Sequence, residues 1–460
     1  MRLKYLLITL LGALGCTYEE DPLSIITPDE FFLEARDAQS SVDAIYHYLH
    51  GGSGIYGKYY GVINGLSSDL GWYQGSDLEL SEFSSLSVSP TNAILQEMWE
   101  EWYRGIAAAN YAIANLPNTP VSADEKNALT AEARFLRAVF YFDLVRCFGG
   151  VPIVTDAFEL YGDNYFISRS DLTTTQQFIQ DELMFCLDNL PAQNDAGRPV
   201  ALSAAAYLAK FYLTVGEYNR AFQATRLIIR SEQFSLVSDY ASLFRNSVQN
   251  SPEDILSIYI NDDDPVILNN WFLPAELNGQ GAIDPTGTFL DLFVSEDRRA
   301  QVSLLTADDQ TYIRKFWDAT ADPSGGVTPM DLHLIRYADI LLMHAEALNE
   351  IRNGSNVESL SAINTVRARA RFDGNRSGDV LPDLSQLNKG DFRSAILDER
   401  ARELAWEGHR WFDLVRFGAL KEALALAKPD INISAKQLLF PIPQRELDLN
   451  PNFGGQNPEY

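Results

Sequence analysis

Residues 201–230 read ALSAAAYLAKFYLTVGEYNRAFQATRLIIR, and this stretch decides the fold. Alanine and large apolar residues recur at helical spacing on both sides of a break at Gly216. The spacing predicts two antiparallel helices joined by a tight turn. Its small and large positions match a tetratricopeptide repeat, in which small residues let paired helices approach closely. Ile228 occupies a position where a small residue is usual, so the match is incomplete. We expect a mainly α fold.

Other amphipathic segments predict more helices of the same kind. A second, poorer pair is predicted over residues 335–351 and 358–370, and further helices over residues 107–116, 124–147 and 176–190. Because helical repeats must stack to bury their apolar faces, these dispersed pairs should form one tetratricopeptide-like superhelical scaffold.

Two regions do not follow the helical period. Residues 51–90 are rich in Gly, Ser and Tyr, and residues 234–329 carry Asp, Asn, Gly and Pro between short apolar runs. Their composition predicts an irregular subregion of loops and short strands over the scaffold. Since no clean linker is visible, we expect a single domain over residues 16–460, with an N-terminal part of about 16–230 and a C-terminal part of about 250–460.

The first sixteen residues, MRLKYLLITLLGALGC, are typical of an export signal. Their apolar run is too short to span a bilayer, and no other apolar stretch approaches the ~20 residues that a spanning helix needs. Leu14-Gly15-Cys16 also resembles the lipobox of bacterial lipoproteins. We therefore predict a signal peptide over residues 1–15 and lipid attachment at Cys16, whose acyl chains would hold the protein on a membrane.

Composition excludes some partners and offers no cofactor. The formal charge of −27 argues against nucleic acid, since phosphate binding needs clustered Lys and Arg. None of the five histidines lies at metal-ligand spacing with cysteines, so we predict neither a metal site nor a cofactor. Cys147 and Cys186 are interpreted as two small buried thiols, with a disulfide between them as the alternative.

Four ordered motifs resemble the SusD/RagB family. They are AEARFLRAVFYFDLVRCFGGVP at 131–152, RYADILLMHAEA at 336–347, ERARELAWEGHRWFDLVR at 399–416, and a terminus that runs from LFPIP at 439–443 to QNPEY at 456–460. The third motif alternates in charge at three- and four-residue spacing, which predicts side chains paired along a helix rather than catalytic groups. For the same reason, Glu407 and His409 are interpreted as structural. Trp99, Trp102, Trp406 and Trp411 fall on helical faces and are predicted to lie in the core.

The resemblance implies a function at the cell surface. SusD-like proteins bind oligosaccharides or related nutrients, act without catalysis, and cover a SusC-type TonB-dependent transporter of the outer membrane. By this resemblance the chain is expected to be a lipid-anchored outer-membrane protein that faces outward. The acidic residues 17–21 resemble the tag that sends such lipoproteins to the surface.

Sugar recognition needs aromatic faces beside carboxylates, amides or guanidiniums, on irregular segments over a rigid scaffold. Two segments meet this description, and the predicted ligand-binding residues are Asp69, Trp72 and Tyr73 in the first and Asn270 and Trp271 in the second. For each tryptophan a buried or partner-facing position is an equal alternative. Arg314 and Trp317 are weaker candidates. Residues 262–264 form an acidic run that could hold calcium, although a solvated turn is the simpler interpretation.

Other functions remain open at this stage. One alternative is a helical-repeat scaffold that binds only a protein partner, and another is a binder of peptides or other nutrients that are not glycans. A glycoside hydrolase would need two carboxylates that face each other across a cleft. The many acidic residues do not exclude this, but no motif supports it.

Overall fold

Helices dominate the architecture of the chain. The computed structural model describes residues 32–49, 54–156, 166–245, 251–260, 263, 265–294, 296–325, 330–371 and 381–460. The α-helices are α1 Ala35–Tyr46, α2 Gly61–Leu66, α3 Leu78–Ser84, α4 Ala93–Asn115, α5 Ala123–Phe148, α6 Leu172–Asn189, α7 Ala201–Thr214, α8 Tyr218–Ser231, α9 Asn269–Phe272, α10 Gly287–Leu290, α11 Arg298–Ser303, α12 Tyr337–Arg352, α13 Val357–Ala370, α14 Lys389–Glu403, α15 Arg410–Phe417, α16 Leu420–Ala427 and α17 Gln444–Leu449. A π-helix, Tyr56–Tyr60, precedes α2.

The long helices pack on one another in a single series. Each of α4 to α7 packs on the next, α8 packs on α12, and α12 packs on both α13 and α14. The stretch between α8 and α12 holds the short helices and most of the strands. The predicted mainly α, tetratricopeptide-like scaffold built from dispersed helix pairs is therefore confirmed.

Local sequence explains where these helices begin and end. The side chains of Asn92, Ser122 and Asp171 each accept a hydrogen bond from the amide three residues on, at 3.1, 3.2 and 2.7 Å, and so cap α4, α5 and α6. Gly149, at φ +76°, ends α5, and Gly216, at φ +78°, forms the break between α7 and α8. The predicted turn at Gly216 is confirmed.

Several predicted boundaries were wrong. The helix expected from residue 335 begins at Tyr337, because Ile335 and Arg336 belong to a strand. The helix expected from residue 107 begins at Ala93. Residues 51–90, expected to be loops and short strands, also contain α2 and α3. Every residue of α2 is buried, so that segment has no polar face and shows no amphipathic period.

The short strands form three two-stranded sheets. The strands are β1 Gly71–Tyr73, β2 Asp254–Ile258, β3 Ile283–Pro285, β4 Leu304–Ala307, β5 Gln310–Ile313 and β6 Leu332–Arg336. β1 pairs with β3, β2 with β6, and β4 with β5, all antiparallel. At the tip of the β4–β5 hairpin, Asp308 and Asp309 have φ of +50° and +63°, as a two-residue type I′ turn requires. These strands confirm the predicted irregular subregion.

Residues expected in the core lie there. Trp99, Trp102, Trp406 and Trp411 are at most 3% exposed. Cys147 and Cys186 are buried free thiols, which confirms the favoured interpretation of the pair. Burial raises the pKa of both thiols, so each stays protonated as a small apolar side chain.

The sequence prediction for the third motif is confirmed only in part. Glu399 pairs with Arg402 at 3.2 Å and Asp413 with Arg416 at 2.8 Å, each three residues apart along a helix. Most charges of the motif, however, reach across the fold to other elements. The C-terminal end of α14 and the turn that follows it are buried, so the carboxylates of Glu399, Glu403 and Glu407 pair with cations from other elements. The pairs are Glu399 with Arg299 at 2.7 Å and Arg367 at 2.8 Å, Glu403 with Arg336 at 2.5 Å and with Arg369, and Glu407 with Lys315 at 2.6 Å and Arg336 at 2.8 Å. We call these residues the buried ion network.

Candidate functional site

Pairing of β1 with β3 brings the two predicted ligand segments together. In this sheet Trp72 lies opposite Asp284. Ala282, just before β3, donates its amide to the carbonyl of Trp271 at 2.8 Å and accepts a hydrogen bond from the amide of Gln74 at 2.7 Å. Residues of both irregular segments therefore lie close together in the fold.

Trp72 is half-buried and lines a hollow of about 500 Å³. The opposite wall comes from the segment after α16, and we call this feature the Trp72 hollow. Its lining combines one indole ring with carboxylate, amide, ammonium and hydroxyl groups, on Trp72, Ser85, Leu86, Ser87, Asp430, Ile431, Asn432, Lys436 and Gln437. An aromatic face beside hydrogen-bonding groups of both kinds can bind a molecule that has apolar C–H faces and hydroxyls.

The sheet extends the polar surface beside Trp72. Residues directly opposite in an antiparallel pair project from the same face, so Asp284 lies on the Trp72 side. Gln310 donates to the Asp284 carboxylate at 2.9 Å and accepts from the hydroxyl of Tyr312 at 3.1 Å. Asp284, Gln310 and Tyr312 thus provide further polar atoms near the ring.

Beneath the ring lies Lys428, which the sequence did not single out. Its ammonium is 4.8 Å from the centroid of the Trp72 ring. The residue is fully buried, and burial lowers the pKa of its ammonium to about 7. This cation therefore contacts the face of the ring that is turned into the protein.

Asp69 has a different place from the one expected. It is 4% exposed, and its two carboxylate oxygens accept hydrogen bonds from the guanidinium of Arg410 at 2.7 and 2.6 Å. Its backbone carbonyl accepts a bond from the hydroxyl of Thr286 at 2.5 Å. In this geometry Asp69 anchors the end of β1 against β3, and the carboxylate has no free oxygen on the surface for a ligand.

Trp271 is also buried, at 7% exposure, and its ring packs against Tyr59 with centroids 5.8 Å apart. Trp271 is therefore a buried residue, the alternative to ligand contact given above, and its ring offers no open face. Asn270 remains half-exposed, and its carbonyl accepts the amide of Gln280 at 2.7 Å. Tyr73 is half-exposed, with its hydroxyl accepting the amide of Asp77 at 3.1 Å. Of the five predicted residues, Trp72, Tyr73 and Asn270 keep exposed surface.

Arg314 and Trp317, the weaker candidates, are not among the residues that line the Trp72 hollow. The indole N–H of Trp317 donates to the carbonyl of Asp322 at 2.8 Å, and Arg314 lies over the same ring. Of the acidic run, Asp263 is exposed, while residues 262 and 264 lie outside the described residues. Across the described ranges, no three His, Cys, Asp or Glu side chains are grouped closely enough to hold a metal ion.

Glu407 and His409 do not form an acid/base pair. Glu407 belongs to the buried ion network, where the cations of Arg336 and Lys315 overcome the effect of burial and lower its pKa to about 2. His409 accepts a hydrogen bond from Lys210 at 3.2 Å, and burial lowers its pKa to about 3. Both residues are structural, as the sequence interpretation had it.

A larger hollow of about 550 Å³ lies elsewhere, between α4, α17 and residues 152–156. Its lining is more apolar, with exposed Phe166 and Leu449 at the rim. Trp99, on its floor, is only 3% exposed, so no indole face is open there. The Trp72 hollow offers the better match for a hydroxylated ligand.

Comparison with known proteins agrees with this class of helical-repeat protein. The model of the SusD family matches residues 209–460, and a second model, described as starch-binding associating with outer membrane, matches residues 61–213. The chain belongs to the SusD family.

Relatives resemble the chain over nearly its full length. SusD-like protein P2 of Formosa agariphila is 28% identical, with 99% of this chain and 98% of the relative covered. Among solved structures, a SusD superfamily protein from Bacteroides vulgatus has a TM-score of 0.84 at 22% identity, covering 94% of this chain and 100% of the other. A laminarin-binding SusD-like protein has a TM-score of 0.80 at 25% identity, covering 93% and 100%.

Proposed function

We propose that this protein captures a carbohydrate at the Trp72 hollow, without cleaving it, and passes it to a SusC-type TonB-dependent transporter. The observation that carries the proposal is the half-exposed indole of Trp72 facing carboxylate and amide side chains across a hollow large enough for a short oligosaccharide. The name of the laminarin-binding relative supports a glycan as the ligand.

The geometry supports stacking as the main source of affinity. A pyranose ring laid on the indole buries its C–H face, while its hydroxyls remain directed toward the rim. Asp430, Asn432 and Gln437 provide acceptors and donors for those hydroxyls. Tyr73 and Asn270, on the same surface, are proposed as outer contacts of a longer chain, whereas Asp69 and Trp271 support the site from below.

A glycan-binding assay tests this proposal. Purified protein would be screened on an array of glycans that includes laminarin and starch, and the strongest binder measured by calorimetry. Trp72→Ala should lower the affinity more than tenfold, as loss of a central aromatic contact does. The matched control is Phe166→Ala, which removes an exposed aromatic ring at the rim of the larger hollow. Equal binding by parent and Trp72→Ala would refute the site, and no binding across the array would favour the protein-only scaffold.

We also propose that acylated Cys16 holds the protein on the outer membrane, facing outward. Cys16 and residues 1–15 lie outside the described residues, so this rests on the sequence and on the description of the second family model. Among the described residues, no helix has the length and apolar character to cross a bilayer. Metabolic labelling with an alkyne fatty acid should mark the parent chain and not Cys16→Ala, and protease added to intact cells should remove the labelled protein. A label that persists in Cys16→Ala would contradict the assignment.

A further inference from the structure

We infer that Lys428 is a positioning residue that holds the Trp72 ring in place, an inference that rests on the function proposed above. The ammonium donates to the carbonyl of Leu66 at 2.5 Å and to the carbonyl of Ser84 at 3.1 Å. An ammonium has three N–H donors. The third is left for the face of the Trp72 ring, 4.8 Å away.

Lys428 differs from two other lysines of low exposure in how its ammonium is paired. Lys315 contacts the carboxylate of Glu407 at 2.6 Å, and Lys210 contacts that of Asp339 at 3.1 Å. Within the part of the chain that the structure describes, Lys428 forms no ion pair with a carboxylate. Because burying an ammonium without a direct ion pair is costly, its charge must be balanced by the negative charge of Asp69, by dipoles and by the negative face of the ring.

The two carbonyls come from helix ends. Leu66 is the last residue of α2 and Ser84 the last of α3, and the C-terminal carbonyls of a helix carry partial negative charge. Lys428 itself follows the end of α16. One ammonium therefore ties three helix ends to β1, directly beneath the ring. A neutral amide could satisfy the carbonyls, but a cation is attracted to the ring face more strongly than a neutral N–H group is.

The surrounding charges determine how this contact responds to pH. Because burial brings the pKa of Lys428 to about 7, its charge changes near neutral pH. α2 carries no ionisable side chain. The charged groups on the elements around it are Asp69, which is paired with Arg410, Glu79 and Glu82 on α3, Asp284 on β3, Lys421 and Glu422 on α16, and Asp430 and Lys436 on the wall of the hollow.

The test follows the Trp72 ring directly, without any glycan. Protein labelled with 5-fluorotryptophan would be studied by ¹⁹F NMR, with Trp72→Phe assigning the Trp72 resonance. Lys428→Gln keeps N–H donors for the carbonyls but removes the charge. We expect it to shift or broaden the Trp72 resonance and leave that of Trp317 unchanged. In the parent chain the Trp72 resonance should move with pH near neutrality, and in Lys428→Gln it should not.

The outcomes separate this inference from the proposed function. An identical Trp72 resonance in both chains, or one that still titrates in Lys428→Gln, would overturn the inference even if glycans bind. Should Lys428→Gln not fold, as judged by circular dichroism, the pH titration of the parent resonance decides alone, and a flat titration overturns it. With laminarin as the probe, Lys428→Gln should bind up to about tenfold more weakly than the parent, because a ring that is no longer held in place must be ordered on binding. Unchanged laminarin affinity with a shifted resonance would overturn the role in binding, whereas no binding by the parent chain to laminarin or to any other glycan of the array would count against the proposed function alone.

Discussion

The buried ion network and the Trp72 hollow use similar side chains for opposite purposes. In the network, Arg336 and Glu403 are at most 1% exposed and every charge meets an opposite charge. At the hollow, Asp430 and Asn432 are exposed on a wall opposite a half-exposed ring. Charge alone therefore does not mark a binding site in this protein. A binding site is marked instead by polar groups that retain solvent access beside an open aromatic face.

The largest expected effect is on the network. Arg336→Met removes a buried cation that contacts the carboxylates of Glu253, Glu403 and Glu407, so it should lower the free energy of unfolding by about 5 kcal/mol. Urea denaturation of the purified protein measures this. Arg104→Met, at an exposed pair with Glu100, is the control and should cost less than about 1 kcal/mol. Equal losses of unfolding free energy in the two variants would show that the buried ion network contributes no more to stability than an exposed ion pair.

Substitution of Trp271 and of Trp72 should separate an effect on stability from an effect on ligand binding. Trp271→Ala removes a buried ring and should lower the free energy of unfolding by about 4 kcal/mol. Trp72→Ala should lower it by only about 2 kcal/mol, because the outer face of the ring is already open to solvent and the main loss is the contact with the Lys428 ammonium. Thermal and urea denaturation of both variants test this. The reverse order of stability would show that Trp72 and not Trp271 is the core residue.

Acid should weaken the buried ion network. Arg336 and Lys315 hold the pKa of Glu407 at about 2, below its ordinary 4.5. A lowered folded-state pKa contributes stability that is present above the unfolded pKa and is lost as pH falls toward the folded pKa. We expect a loss of about 3 kcal/mol from this group between about pH 5 and pH 2. Urea denaturation across that range measures it, and Glu407→Gln should flatten part of the slope. A stability that is constant down to pH 2 would contradict the assignment.

The smallest effect concerns the charge of the ligand. The chain carries a formal charge of −27, so a polyanionic glycan should bind weakly at low salt and more tightly as salt screens the repulsion. Laminarin, as a neutral probe, should show little dependence on salt. Calorimetry at low and high ionic strength compares the two classes. Anionic glycan bound more tightly at low salt would point to a local basic surface.

Much of the fold was open to prediction because it depends on local patterns. Gly216, between two amphipathic segments, was enough to locate α7 and α8. α2 was missed, since a helix buried on all sides has no polar face to reveal its period. The charged pattern of residues 399–416 was recognised as structural, but most of its partners were misplaced, because spacing along a helix says nothing about cations on other elements.

The site was predictable only in part. Trp72 stood out by its residue type between glycines, whereas Asp69 looked equally suitable until the fold placed Arg410, which is 341 positions later in the chain, against it. Lys428, Asp430 and Asn432 carried no local signal, because their role depends on the end of α16 reaching α2 and α3.

By itself, the amino-acid sequence determined the helical periodicity, the breaks at glycine, the family motifs and the negative charge, since each is written in neighbouring residues. Only the tertiary structure decided which charges are paired, which of the two candidate tryptophans stays open, and that a buried lysine lies under the open one. Those properties depend on burial and on contacts between distant segments, and the free energy of a charge or an aromatic ring is set by its surroundings rather than by its neighbours in the chain.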